Sequence, residues 1–169
     1  TSGGNWFALH GTNAIVAFDG AKADTPNVSP EFMKLLGSRF IAHPANMDFL
    51  VRIKDKEHQL TRGLKDFEVY DEPYYCEFED NLHVLLDAEY SEPSESYVQV
   101  DPPNDDPRPQ MYIHNVGKGN VLYLMLGHCR GKYDMRPFVD EVSVERCAWE
   151  TETYYELLRR GIKWGIGKA

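Results

Sequence analysis

The sequence predicts an α/β domain, with a mostly parallel sheet and helices on both of its sides. Two observations predict it. Short apolar runs of strand length recur along the chain, and helical signals stand toward both ends, one starting at Pro30 and one near Tyr154. With 169 residues and 19.4 kDa, the chain is long enough for one ordinary domain with its own core.

Residues 6–9 form an apolar run that ends in His10-Gly11, the pattern of a buried strand entering a tight turn. Residues 19–29 are rich in Asp, Gly, Asn and Pro and read as a loop. Ser29-Pro30-Glu31 then supplies an N-cap, a first-turn proline and an acid at the positive end of the helix dipole. Phe32, Leu35 and Leu36 share one face, and Gly37 gives the stop. Phe40 and Ile41 lead on to His43-Pro44. Alternation over 49–53 argues for a strand, and β-like runs follow at 67–70, 74–78 and 82–86. Residues 89–109 hold Pro93, Pro102, Pro103, Pro107 and Pro109, with six carboxylates and Arg108 as the only base, so an exposed loop is expected there. The runs 111–116 and 120–126 flank Gly117-Lys118-Gly119, a hairpin whose glycines permit positive φ; its second strand runs on to Gly127-His128. Near the end, Thr153-Tyr154-Tyr155-Glu156 has capping-box spacing, and Tyr154, Leu157, Leu158 and Ile162 form one apolar stripe. No internal repeat is visible, so a single domain over residues 1–169 is expected.

Charge narrows the partners. The 27 acidic and 18 basic residues leave a net charge of −9, which repels phosphate backbones and anionic lipid alike. Neither nucleic acid nor a membrane surface is an expected partner. The longest apolar run, residues 121–126, is six residues, against roughly 20 for a membrane helix. Cys76, Cys129 and Cys147 are odd in number and form no CxxC pair, so neither a disulfide framework nor a thiolate zinc site is indicated, and a reducing, cytoplasmic setting is expected.

Six histidines, His10, His43, His58, His83, His114 and His128, are the richest chemical signal. A lone histidine is more often structural, and His83, inside a strand-like run, is read that way. His10 and His128 differ because both follow apolar strands and adjoin glycine, where α/β sheets place ligand groups beyond the strand ends. Asp71-Glu72-Pro73-Tyr74-Tyr75 sets adjacent carboxylates beside two phenols, a set suited to acid/base work if buried and otherwise a solvated turn. Pro73 holds Glu72 extended, which fixes its direction. There is no GxSxG, no cysteine elbow and no correctly spaced phosphate loop near the end.

Gly3-Gly4-Asn5-Trp6-Phe7-Ala8-Leu9-His10-Gly11, Phe40-Ile41-Ala42-His43-Pro44, His58-Gln59-Leu60-Thr61-Arg62-Gly63-Leu64, Asp71-Glu72-Pro73-Tyr74 and His114-Asn115-Val116-Gly117-Lys118-Gly119-Asn120, with the run to Leu126-Gly127-His128, together resemble the ThuA-like family, named for trehalose utilisation. Leu158-Arg159-Arg160-Gly161-Ile162-Lys163-Trp164 resembles that family's last helix. The resemblance implies a flavodoxin-like, three-layer α/β/α sandwich related to class I glutamine amidotransferases, with a site at the strand ends. It also implies further N-terminal elements, so the chain is expected to be the C-terminal majority of a longer domain, or to bury its open sheet surface in a homo-oligomer. His10 stands where the amidotransferase relatives carry a cysteine nucleophile, so glutamine hydrolysis is not expected. Gln59 replaces a proline usual in the family.

Two functions follow from the resemblance and the residues together. One is an enzyme of carbohydrate utilisation acting on trehalose, another disaccharide or a keto-sugar, with His10, Glu72 and His128 catalytic and His43, His58, Asp71, Tyr74 and His114 on the substrate. A divalent metal held by His10, Glu72 and His128 is compatible with this set, and the sequence leaves its presence open. The other is a non-catalytic sugar-binding or assembly module that kept the fold and lost the nucleophile.

Overall fold

The computed structural model describes residues 3–103 and 107–168. Its strands are β1 (Gly4–Leu9), β2 (Ala17–Asp19), β3 (Lys22–Asp24), β4 (Ser38–Ala42), β5 (Met47–Ile53), β6 (Phe67–Asp71), β7 (Tyr75–Phe78), β8 (His83–Ala88), β9 (Arg108–Val116) and β10 (Gly119–Leu124). Among the described residues, two α-helices, α1 (Pro30–Leu36) and α2 (Glu152–Gly165), and two short 3-10 turns at His10–Asn13 and Cys147–Glu150 complete the structure. None of these helices is long and apolar enough to cross a membrane.

Six strands form one sheet in the order β1-β10-β9-β8-β5-β6, with β2-β3 and β4-β7 as separate pairs. The α/β class holds, and the mostly parallel sheet does not: β1 and β10 run parallel, and every other neighbouring pair in the sheet is antiparallel. For the β9–β10 pair, connection length gives the reason. A parallel neighbour needs a crossover of a dozen or more residues, whereas Gly117 and Lys118 alone join β9 to β10. Gly117 takes φ +60° in that turn, where a side chain would be strained.

A helix lies on each face of the sheet, as successive residues of β1 show. Trp6 meets Phe32 of α1 at 6.1 Å between ring centroids, while Phe7, pointing the other way, lies so close to Gly161 of α2 that a Cβ there would be 2.4 Å from its ring. Helix α1 begins at Pro30 and ends at Gly37, in the left-handed region at φ +87°. Helix α2 begins earlier than expected, because Thr151 rather than Thr153 caps it, its side chain accepting from Tyr154 N. Its buried face is Tyr154, Leu157, Gly161 and Trp164, and Ile162 is exposed. At 3.6 residues per turn Ile162 lies about 120° round from that face, so the expected stripe was drawn too wide.

Two stretches expected to be loops carry more structure. Within 19–29, Lys22–Asp24 pairs with Ala17–Asp19 as a hairpin. Within 89–109, Tyr90, Ser94, Tyr97 and Arg108 are buried, and residues 104–106 lie outside the described residues. Arg108 donates to the carbonyls of Tyr90 and Pro103, both at 2.6 Å, and stacks between the rings of Tyr75 and Tyr90. Satisfied in this way, a guanidinium can be buried, and it draws in a segment whose composition reads as solvated.

Candidate active site

The sheet curls so that its two outer strands meet at one end. Parallel pairing brings the ends of β1 and β10, hence His10 and the Met125–His128 segment, to the same edge. Met47 pairs with Asp71, so the end of β6 reaches that edge too. Asp71, fully buried, bridges the gap: one carboxylate oxygen accepts from Gly127 N at 2.8 Å, and the other from His128 N at 3.0 Å and Glu72 N at 2.8 Å. Burial raises its carboxyl above the ordinary range despite these bonds.

Glu72, the next residue in an extended chain, points to the opposite side and into a ring of imidazoles. Its Oε2 lies 3.2 Å from His10 Nε2 and 3.3 Å from His128 Nδ1, and its Oε1 lies 3.2 Å from His43 Nε2. Tyr74 Oη is 2.9 Å from His10 Nε2, with the two rings 4.5 Å apart. Carbonyls fix two tautomers, because a carbonyl can only accept. His10 Nδ1 donates to Met125 O at 2.8 Å and His43 Nδ1 donates to Pro44 O at 2.6 Å, which leaves each Nε2 facing Glu72. His128 is held differently, between Glu72 at Nδ1 and Glu145 at Nε2, the latter at 2.9 Å. Glu145 is in turn paired with Arg130 at 2.6 Å.

The charges follow from these contacts. Burial alone would raise the Glu72 carboxyl, but its contacts with His10 and His128 outweigh it and hold the group below the usual carboxylate range. Burial likewise works against an imidazolium at His128, and the two carboxylates outweigh it and raise that pKa. Burial dominates at His43, lowering it, with Glu72 offsetting only part. Burial and the charge of Glu72 raise the Tyr74 phenol, which stays protonated as a donor. The site therefore holds a carboxylate, an imidazole between two carboxylates that favour its protonated form, and a neutral hydroxyl within contact of one another. One ligand atom from each of His10, Glu72 and His128 also lies within 4.8 Å of the others, a donor set of two imidazoles and a carboxylate that fits a divalent ion with open positions. Glu145 behind His128 is the outer partner such an imidazole ligand ordinarily has.

Comparison with known proteins places the chain in a family. The profile described as ThuA: Trehalose utilisation matches residues 2–144. This chain belongs to the ThuA family. Among solved structures, a ThuA-like protein from Bacteroides uniformis ATCC 8492 aligns at TM-score 0.62 and 21% identity over 98% of this chain, and one from Parabacteroides merdae ATCC 43184 at 0.63 and 17% over 96%. The chain spans 60% of the length of each. No curated protein matches it.

Within this ThuA-family chain, His10, Glu72, His128, His43 and Tyr74 come together at the strand ends. Asp71 stands behind them, fully buried, its oxygens accepting from backbone N–H groups. His114 is buried against α1, with its Nδ1 3.2 Å from Leu35 O, where a Cβ on Gly37 would touch its ring at 3.0 Å. His58 packs edge-on to His83, beside Asp55, in a cluster of its own. Sequence reasoning missed Glu145 and Tyr97, whose ring lies 5.0 Å from that of His43. No local motif marks either. The nearest signal for Glu145 is its two-bond backbone bridge to Arg130, two residues past His128.

Proposed function

We propose that this ThuA-family chain is an enzyme of carbohydrate utilisation, performing acid/base chemistry on a disaccharide or keto-sugar at Glu72, His10 and His128. The observation that supports it is the placement of one desolvated carboxylate among three imidazoles and a phenol at a strand-end edge, a concentration of ionisable groups that folding does not require. In this reading Glu72 and His10 Nε2 take a proton from a sugar hydroxyl or from the carbon beside a sugar carbonyl. The His128 imidazolium donates to the oxygen that gains charge, and Tyr74 orients His10 and the sugar. His10, Glu72 and His128 could instead hold a divalent ion, with His128 then neutral, and the ion would supply the polarisation of that oxygen in place of the imidazolium. The amidotransferase-like, flavodoxin-type arrangement is part of the proposal, with β1, paired on one side by β10, as the strand beside which further parallel strands would continue the sheet.

The test is turnover of trehalose, keto-disaccharides and simple glycosides by the purified chain, with metal content measured on the same sample. Glu72→Gln is expected to lower turnover by at least about 10²-fold, the lower end for an acid/base group. Sugar binding without turnover in the wild type, unchanged in Glu72→Gln, would instead identify a binding module.

A further inference from the structure

A cleft of about 330 Å³ opens beside this site, lined by His43, Asn46, Met47, Glu92, Glu95 and Ser96 among others. Two of its residues also belong to the ring around Glu72 and His128. His43 lines the cleft while its Nε2 contacts Glu72, and Asn46 donates to Glu145 Oε2, the oxygen that holds His128, at 3.2 Å. We propose that this cleft is a second sugar subsite, which seats the ring of a disaccharide that does not react while the other ring lies over His10, Glu72 and His128. The inference rests on the carbohydrate reading above.

The chemistry of the walls fits a neutral pyranose ring. The carboxylates of Glu92 and Glu95 accept from neighbouring hydroxyls, Asn46 and Ser96 offer a donor and an acceptor, and Pro44, Pro93 and Met47 supply apolar surface for the C–H face of the ring. Among the described residues no lysine or arginine lines the cleft, so a phosphorylated or carboxylated sugar finds no counter-charge from them. The wall is also fixed before any ligand arrives. Tyr75 Oη donates to Glu92 O at 2.6 Å, Ala23 N donates to Ser96 O and Val98 N to Ala23 O, both at 2.9 Å, and buried Tyr97 presses edge-on against His43. A wall held by backbone bonds on both sides loses little entropy on binding. The exposed carboxylate of Glu95 carries no burden of the fold, which makes it the residue to change.

The experiment titrates the chain with trehalose and with glucose, following the ¹³C-methyl resonance of Met47 and the Kd of each sugar. Wild type is expected to bind trehalose more tightly than glucose, with a Met47 shift on trehalose. Glu95→Gln and Glu92→Gln, at unchanged melting temperature, are each expected to raise the trehalose Kd about tenfold and to collapse its preference over glucose, as loss of one hydrogen bond to a charged group predicts. A preference and a Met47 shift that survive both substitutions would overturn the subsite and leave the catalytic reading standing. Failure of wild type to bind either sugar would overturn both. Loss of turnover in Glu72→Gln reports on the catalytic reading alone, so the two failures are distinct.

Discussion

His10, Glu72 and His128 at the strand ends and His58, His83 and Asp55 at the β5–β8 side of the sheet are built from the same residue types, and their surroundings set them apart. The surface pair is the closer one, with His83 Nε2 2.8 Å from Asp55 Oδ2, against 3.2–3.3 Å for the contacts of Glu72. Yet the side chains of His83 and Asp55 are 47% and 31% exposed, and those of His10, Glu72 and His128 are 15%, 11% and 13% exposed. Water screens the first pair and leaves it little energy, whereas the second works in a poorer dielectric where each proton has consequences for its neighbours. The inner cluster also has a scaffold of its own. Asp71, Gly127 and Tyr154 pack behind it, while the Asp55 carboxylate, besides pairing with His83, braces its local turn through Glu57 N and His58 N.

Changes behind the inner cluster should therefore cost stability that equivalent changes at the outer cluster do not. The largest loss is predicted for Gly127→Ala, because φ there is +121° and a Cβ would lie 2.1 Å from Tyr154 Oη. About 3 kcal/mol or more is expected from overpacking and left-handed strain together, read by urea unfolding. Asp71→Asn comes next. An amide keeps one acceptor oxygen where three backbone N–H groups now converge, so about 2 kcal/mol is expected, and a loss below about 0.5 kcal/mol would mean the bridge between β6 and residues 127–128 is not structural.

His83→Ala is expected to cost under about 1 kcal/mol, the range of exposed ion pairs. The smallest effect is in acid. The bond from His83, followed by that from Glu57 N, lowers the Asp55 carboxyl below its ordinary 3.8, so its contribution is present above that pH and is lost as pH falls through the lower folded value. Asp55→Asn should flatten the stability curve only below about pH 3.8.

The same contrast explains which parts of the site can be read from the sequence. His10 and His128 are legible because each ends an apolar strand beside glycine, and Glu72 because Pro73 fixes its direction. The sequence puts both Asp71 and Glu72 at the site; adjacent residues of an extended chain face opposite sides, and which of them faces the histidines depends on the curl of the sheet. Glu145, Asn46 and Tyr97 have no such signal. They reach the site through contacts distant in sequence, as does the burial of Arg108 that anchors residues 89–109. Strand positions were legible from apolar runs, while pairing direction was not, because alternation is the same in parallel and antiparallel ladders. The two-residue turns after β2 and after β9 are what announce an antiparallel partner.

The most direct test sets His128→Ala against His83→Ala, with sugar turnover and melting temperature measured on both. His128→Ala is predicted to lose at least about 10²-fold in turnover with a melting temperature within a few degrees of wild type, and His83→Ala to keep both. Equal losses of turnover in the two variants, or a loss in His128→Ala that follows its unfolding, would contradict a catalytic centre at Glu72 and make these histidines structural.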